Sequence, residues 1–483
     1  MPTNNLLSII QKLVKRGYNA DPDVVQFIDK SQNPDETINF LITDMGSEVF
    51  TFTMADILGN YGSLSNLDSC LQKQISSASE KPSFEPSISI ENDVTGNSTG
   101  SGKYTDFVSI FRNRLDRISL ILKPRITPSP LNSIKKTSGS VSVVGLVSDI
   151  QKTSAGHFLI ELEDVSGTFP ILINNNSEPF SNADELLLDE VIGIKGTLSN
   201  DSEMLFAEKL YFPDVPSNFK PLSADSHVQA ALISDIHVGS KNFKSNLWTD
   251  FTTWLSTPEA ELIEYVLIAG DLVEGVGVYP GQDADLEIIN IYEQYRAFNE
   301  RLKEIPDSIS VVMIPGNHDA VRLAEPQPAF NDEIRKILSS QNTHFTSNPS
   351  TVTIEGVPIL MYHGVSLDEI ITELPSEKVS YESPHTAMAQ LLKKRHLAPQ
   401  FGSRTRLAPE LRDYLVIGKI PSVFHSGHVH KFSCGKYNNV LLVNSGCWQA
   451  QTDFQKRVNI IPDVGYVPIL DLDTLNLTIR HFT

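Results

Sequence analysis

Hydrophobic and polar positions fall into three successive patterns along the chain. Between residues 5 and 17, Leu6, Ile9, Ile10, Leu13 and Val14 recur at helical spacing before Gly17, which predicts an amphipathic helix. Two further apolar groups, "PDVVQFIDK" and "PDETINFLITDM", open on proline and acidic residues, as helix N-termini do. A small helical N-terminal domain is expected over residues 1–72. Its apolar faces would pack on one another, with partner docking as the alternative. Residues 73–103 are rich in Ser, Pro, Gly and Asn without sustained periodicity and predict a flexible linker. The "GSGKYT" inside it is not a phosphate loop. Asn97 stands where the first glycine is needed, Tyr104 where Ser or Thr is needed, and no strand precedes it.

The second pattern begins with "YTDFVSIFRNRLDRISLIL" (104–122), an amphipathic helix, and continues from Gly139 to about Phe212 as five short β-rich runs. Five strands of this length with turns between them suit a small barrel of the OB type, so residues 104–220 are read as helix plus OB-like barrel. Such barrels bind single strands through aromatic and basic residues. Few aromatics interleave with Lys or Arg here, which leaves a structural or subunit-interface role open. The third pattern, over 221–483, alternates helical segments with continuous apolar runs: "VQAALIS", "EYVLIAG", "SVVMIP", "PILMYHG", "SVFHSGH" and "VLLVNSG". Runs of this kind predict strands covered on both faces in a layered α/β domain.

Composition narrows the picture in three ways. At 483 residues two to three domains are expected. The net charge of −20 argues against a protein that coats polyanions generically, and points to a metal or partner as the source of positive potential at any nucleic-acid site. No apolar run is long enough to span a bilayer and the N-terminus lacks a signal-like apolar stretch, so an intracellular, cytoplasmic chain with no membrane partner is expected. Three cysteines (Cys70, Cys434, Cys447) without C-x-x-C spacing predict no disulfide framework. Cys434 and Cys447 are expected to be small buried side chains near the site, with zinc ligation as the alternative. Against the acidic background, residues 391–412 stand out as basic. Lys393, Lys394, Arg395, Arg404 and Arg406 are candidates for contacts to DNA phosphates or a partner subunit, or form a solvated face.

Candidate chemistry gathers at strand ends, where open α/β folds place their functional groups. "LISDIHVGS" carries Asp235 and His237. "LIAGDLVEG" carries Asp271, "VVMIPGNHDA" carries Asn317, His318 and Asp319, "ILMYHG" carries His363, and "FHSGHVH" carries His428 and His430. Each fragment alone is common. Five at five strand ends of one domain supply carboxylate, imidazole and amide oxygen in numbers sufficient for two metal ions sharing a carboxylate.

In this order D-x-H, G-D, G-N-H-D, H and G-H-x-H resemble the calcineurin-like metallophosphoesterase superfamily, over about residues 226–483. The resemblance implies an α/β metallophosphoesterase sandwich preceded by the OB-like barrel and the small helical domain. It implies that Asp235, His237 and His430 hold one metal, Asn317, His363 and His428 the other, and that Asp271 bridges them. His318 would be the catalytic histidine beside the phosphate, with Asp319 orienting it rather than binding metal. The donor set suits manganese, with iron or zinc possible.

The whole layout is similar to the small-subunit family of archaeal D-family DNA polymerases, with "GDLVEGVGVYPGQ", "PGNHDAVRLAEPQP", "LLKKRHLAP" and "NSGCWQAQTDFQ" as local signatures. That resemblance implies a metal-dependent 3′-to-5′ exonuclease that removes misincorporated nucleotides from DNA 3′ ends. It also implies a large catalytic polymerase subunit as partner, in a heterodimer or higher assembly. A non-catalytic assembly subunit and a stand-alone metallophosphodiesterase are the alternatives. Tyr279 and Pro280, in a loop soon after Asp271, could pack against a terminal base or serve the loop alone.

Overall fold

The computed structural model describes residues 4–16, 18–31, 34–44, 51–53, 86–136, 139–338, 342–457 and 459–483. The chain divides into two units, Met1–Glu85 and Pro86–Thr483. In the first, α1 (Asn4–Lys15), α2 (Pro22–Lys30) and α3 (Pro34–Asp44) accompany a short parallel pair, β1 (Asn19–Ala20) and β2 (Thr51–Phe52). Their apolar faces meet in a core that includes Ile9, Leu13, Val24, Ile28, Leu41 and Phe52. Val14, read as part of the apolar stripe, is exposed. The remainder of the domain expected over 1–72 lies outside the described residues from position 54 on, as does Cys70.

The second unit begins earlier than the sequence pattern suggests. Residues 86–103, assigned above to the flexible linker over 73–103, are built into the fold. β3 (Ile88–Glu91) pairs antiparallel with a strand some 260 residues later, Thr351 opposite Glu91 and Ile354 opposite Ile88. Beyond it, Gly100 N donates to Glu410 Oε2 at 3.0 Å and Ser98 Oγ to Glu410 Oε1 at 2.6 Å. Backbone pairing and a buried carboxylate supply the order that local composition does not.

Helix α4 (Tyr104–Leu122) then leads into the barrel. β4 (Ser140–Lys152), β5 (Phe158–Asp164), β6 (Gly167–Ile173), the single turn α5 (Phe180–Ala183), β7 (Val191–Leu198) and β8 (Leu205–Tyr211) follow. The five strands close in the order β4-β5-β6-β8-β7, with β6 and β8 parallel and the other neighbours antiparallel. Inward positions such as Val143, Ile160, Leu162, Ile171 and Ile194 fill the interior, so it is a packed core rather than a channel.

From β9 on, the chain builds two six-stranded sheets. β9 (Gln229–Ile233), α6 (Ser245–Leu255), β10 (Ile263–Ala269), α7 (Ile291–Leu302), β11 (Ser310–Ile314), α8 (Asp332–Leu338) and β12 (Thr343–Phe345) start the first. β13 (Ser350–Ile354), β14 (Val357–Met361), α9 (Leu367–Glu373), α10 (His385–Lys394), β15 (Val423–Ser426), β16 (Ser433–Tyr437) and β17 (Val440–Asn444) belong to the second. After α11 (Asp453–Arg457) the chain returns to the first sheet as β18 (Tyr466–Asp471) and β19 (Leu477–His481). The strand orders are β12-β11-β10-β9-β18-β19 and β16-β17-β15-β14-β13-β3.

Alternation along the strands explains the continuous apolar runs. Ala231, Ile233, Val266, Ile268, Val311 and Met313 pack with Trp248, Phe251, Tyr295 and Phe298 of the first sheet's helices. Leu360, Phe424 and Leu442 pack with Ile370, Met388 and Leu391 of the second sheet's helices. The intervening Leu232, Leu267, Val312, Ile359, Met361 and Val443 are equally buried, so neither sheet presents a wet face. Ser445 Oγ donates to Leu232 O at 3.2 Å and Ser234 Oγ to Gly446 O at 3.3 Å, tying the strand ends of one sheet to the other. Among the described residues no helix is long and apolar enough to cross a membrane.

Three of the five cations in the basic segment are turned inward, which corrects their reading as DNA or partner contacts. Lys394 Nζ, fully buried, pairs with the buried Glu190 at 3.0 Å, and Lys393 bonds Glu185. Arg395 Nε donates to Ile417 O at 2.8 Å. Acidic residues following α5 and preceding β7 make these lysines a weld between barrel and sheets. Arg404 and Arg406 remain exposed.

Candidate metal centre

Each cluster read from the sequence follows the C-terminal end of a strand. Asp235 and His237 follow β9, Asp271 follows β10, Asn317 and His318 follow β11, His363 follows β14, and His428 and His430 follow β15. Three groups therefore come from one sheet and two from the other, converging where the sheets are stitched together. Asp235, His237 and His430 lie within reach of one ion, and so do Asp271, His363 and His428. His237 Nε2 is 3.0 Å from His430 Nε2, and Asn317 Oδ1 is 2.9 Å from His363 Nε2. Asp271 Oδ2 stands between the halves, 3.7 Å from His237 Nε2 and 3.3 Å from His363 Nε2.

The backbone is bent to achieve this. Asp235, His237, Asp271, His428 and His430 all adopt left-handed conformations, with φ of 53°, 54°, 53°, 71° and 57°. Such conformations cost roughly 1–3 kcal/mol each outside glycine and cluster at functional sites; Asp and His are among the side chains that tolerate them best. Close approach sets the neighbouring glycines. A Cβ on Gly316 would lie 2.2 Å from Asp271 Oδ1, and one on Gly427 would lie 2.4 Å from Asp235 Oδ2. The site is thus over-determined by backbone geometry before any side chain is considered.

The donors have the character a divalent cation requires. Asp235 Oδ1 is buried without a hydrogen-bond donor, 3.4 Å from His430 Nε2. His363 Nδ1 is 2.8 Å from Ala269 O, which leaves its Nε2 facing the centre, and the Glu274 carboxylate stands as an ion-pair neighbour 3.0 Å from His237 Nδ1. Burial alone would raise the Asp235 carboxyl, but the charge of His430 3.4 Å away outweighs it and holds Asp235 at about 2. Burial would likewise lower His363, yet Asp271 outweighs it and lifts the imidazole to about 10. Protons on His363 and His430 balance the buried carboxylates; metal binding would take over that role and release them.

Glu274 is the residue that motif reading missed. Its carboxylate holds His237 and accepts from Gln449 Nε2 at 2.7 Å, and its main-chain oxygen is 2.7 Å from His318 Nδ1. The neighbouring imidazoles, His237 foremost, outweigh burial and hold it at about 2. It stands three residues after Asp271 in "GDLVEG", the one signal that could have singled it out. Asp319 does not orient His318 as expected. It accepts from Gly316 N at 2.8 Å and Tyr295 OH at 3.1 Å, bracing the loop backbone instead. Cys447 is buried, as expected, but Cys434 is exposed on β16.

His318 is half-buried on the wall of a cavity of about 280 Å³, with Asp271, Asn317, His428 and His430 on its floor. Val278, Tyr279, Val429 and Ile460 give the same cavity an apolar side. Tyr279 OH is 3.0 Å from Asp285 Oδ2 and 3.3 Å from Glu274 Oε1, which fixes its ring beside His318 at a centroid distance of 6.3 Å.

Known proteins agree with both halves of this architecture. The B-subunit family of DNA polymerases alpha and epsilon matches residues 230–434, and the OB-fold nucleic acid binding domain matches residues 141–210. The DNA polymerase II small subunit of Halobacterium salinarum is 48% identical over 508 aligned positions, covering 100% of both chains. That of Archaeoglobus fulgidus is 40% identical over 475, covering 96% of this chain and 95% of its own. That of Thermoplasma acidophilum is 37% identical over 386, covering 78% of each. Similarity of this extent, spanning the whole length, places the chain in the family of archaeal DNA polymerase II small subunits, the D-family small subunits.

Proposed function

We propose that this chain is a metal-dependent 3′-to-5′ exonuclease that hydrolyses phosphodiester bonds at DNA 3′ ends, working as the proofreading subunit beside a large polymerase subunit. The convergence of Asp235, His237, Asp271, Asn317, His363, His428 and His430 from two sheets onto one cavity carries the reading. An assembly subunit without turnover has no need of five strained ligand positions, a buried carboxylate oxygen without a donor, and an open cavity above them. In this reading Asp235, His237 and His430 would hold one cation and Asn317, His363 and His428 the other, with Asp271 shared between them.

Bound there, two divalent cations, manganese or alternatively iron or zinc, would supply charge neutralisation at phosphorus and a lowered pKa for the attacking water. The chain's own residues do the rest. His318, its Nδ1 fixed by Glu274 O, presents Nε2 to the cavity, where it can deliver a proton to the departing 3′-oxygen. The His318 backbone N–H donates to Asp271 Oδ1 at 2.8 Å, coupling the proton donor's position to the shared ligand. Val278, Tyr279 and Ile460 line an apolar wall suited to a terminal base and exclude water from one side.

The test is a 5′-labelled primer with a 3′-terminal mismatch, incubated with the two-subunit complex and manganese. Wild-type complex is expected to shorten it, and Asp271→Asn or His318→Ala in the same complex to leave it intact. Unchanged shortening by both variants would show that the nuclease lies elsewhere.

A further inference from the structure

A second cavity, of about 160 Å³, opens where α4 and residues 412–419 cover the edge of the second sheet. It shares no lining residue with the metal centre. Three cations reach it: Arg117 from α4, Arg412 and Lys419. Glu91 is the one carboxylate among its lining residues, and it pairs with Lys419 at 2.6 Å.

The two guanidinium groups have only neutral acceptors among the described residues. Arg117 bonds the main-chain oxygen of Asp413 and, at 3.4 Å, that of Val416. Arg412 donates to Asn92 Oδ1 at 3.2 Å and lies 5.2 Å above the Tyr414 ring. The nearby Asp413 carboxylate is already taken by Arg114 Nε and His396 Nε2, each at 2.9 Å. Burial, and then the charge of Arg412, lower the pKa of Arg117. In a chain of net charge −20, two guanidinium groups thus stand side by side with no carboxylate among the described residues bonded to either.

We propose that this cavity is a phosphate-group site, with Arg117 and Arg412 as its charged donors and Lys419 at its rim. Forked guanidinium donors match phosphate oxygens in pairs. The space corresponds to about five waters at roughly 30 Å³ each, which admits a compact anion but not a helix or folded peptide. Leu360, Leu397 and Ile417 wall it, and apolar walls strengthen each charge-assisted bond. The phosphate could belong to a nucleic-acid strand or to a free phosphate compound, and the experiment separates the two. The site stands independently of the exonuclease reading.

Full-length protein is titrated into a labelled single-stranded oligonucleotide, with EDTA present to stop cleavage, across a range of salt. Arg412→Gln is the variant, since its side chain is exposed and the amide can still reach Asn92; Lys303→Gln, remote and exposed, is the control. For a strand phosphate, Arg412→Gln weakens binding several-fold and lowers the slope of log K against log salt by about 0.7, while the control changes neither. In parallel, inorganic phosphate is compared with chloride at matched ionic strength in thermal unfolding. Phosphate-specific stabilisation lost in Arg412→Gln, with an unchanged oligonucleotide slope, assigns the site to a free phosphate compound. If Arg412→Gln alters neither the slope nor the phosphate response, the cavity is not a phosphate site.

Discussion

Replacing Arg114 with Met tests how the barrel-side helix is fastened to the two sheets. Arg114 is fully buried in α4 and its Nε meets Asp413 Oδ2 at 2.9 Å, with side-chain exposures of 1% and 0%. Its Nη1 also donates to Asp189 O at 3.0 Å and Pro399 O at 2.5 Å. Methionine fills much of the volume but leaves a buried carboxylate with His396 as its remaining side-chain partner. Removing one member of a buried pair costs about 3–5 kcal/mol, and the two main-chain oxygens add about 1 kcal/mol or more each if left unsatisfied. The loss should depend on pH. Burial, and then the charge of Arg114, depress His396 to about 4 in the native protein. Without Arg114 that repulsion disappears, His396 takes up a proton more readily, and the imidazolium partly neutralises Asp413. Destabilisation is therefore expected to be larger at pH 8 than at pH 6. All three tryptophans, Trp248, Trp254 and Trp448, lie in the first sheet's core, so urea unfolding followed by their fluorescence reports on this unit. Arg114→Met with Asp413→Leu should recover part of the loss, because a buried pair replaced by apolar groups leaves no stranded charge. A single variant within about 1 kcal/mol of wild type at both pH values would refute the reasoning.

Three further outcomes follow from the site and from the contacts of residues 98–100 with Glu410. Gly316→Ala drives a methyl into Asp271 Oδ1 at 2.2 Å, so nuclease activity of the polymerase complex should fall by about 100-fold or more while circular dichroism is unchanged. Glu274→Ala releases His237, and manganese affinity measured by calorimetry should drop by about 10- to 100-fold; an unchanged affinity would remove Glu274 from the support of the ligands. Glu410, held at about 2 because its bonds to Ser98, Thr99 and Arg322 outweigh burial, is depressed below its usual value of 4.5. Its contribution is fully present above pH 4.5 and lost as pH falls toward 2, so protection of residues 98–100 from hydrogen exchange, relative to the intrinsic rate at each pH, should fall over that window and Glu410→Gln should flatten the change.

What was legible in the sequence was whatever repeats locally or ends a strand. The barrel's five runs and the ligand clusters could be read because alternation and strand-end punctuation are short-range signals. β3 escaped because "ISIE" is four residues in a Ser- and Pro-rich stretch and its partner strand is some 260 residues away. Lys393 and Lys394 were misread because charge in sequence says nothing of the acids, Glu185 and Glu190, that a separate barrel brings against them. Asp319 adjoins His318 in the chain, but the turn directs its carboxylate to the backbone of Gly316 and to Tyr295. Glu274 works through His237 Nδ1 and His318 Nδ1, a relation that exists only once β9, β10 and β11 lie side by side.

The five left-handed ligand positions also bear on how such a site can disappear. Glycine relaxes a positive φ at little steric cost, and asparagine is tolerated there nearly as well as aspartate. A substitution such as His428→Gly would therefore ease the backbone while removing one of the proposed ligands. Each loss of function would come with a gain, or little loss, in folding stability. Under relaxed selection the centre would drift toward an inert, sturdier version of the same scaffold. On the proposed function, the five left-handed positions are strain that only a working centre repays.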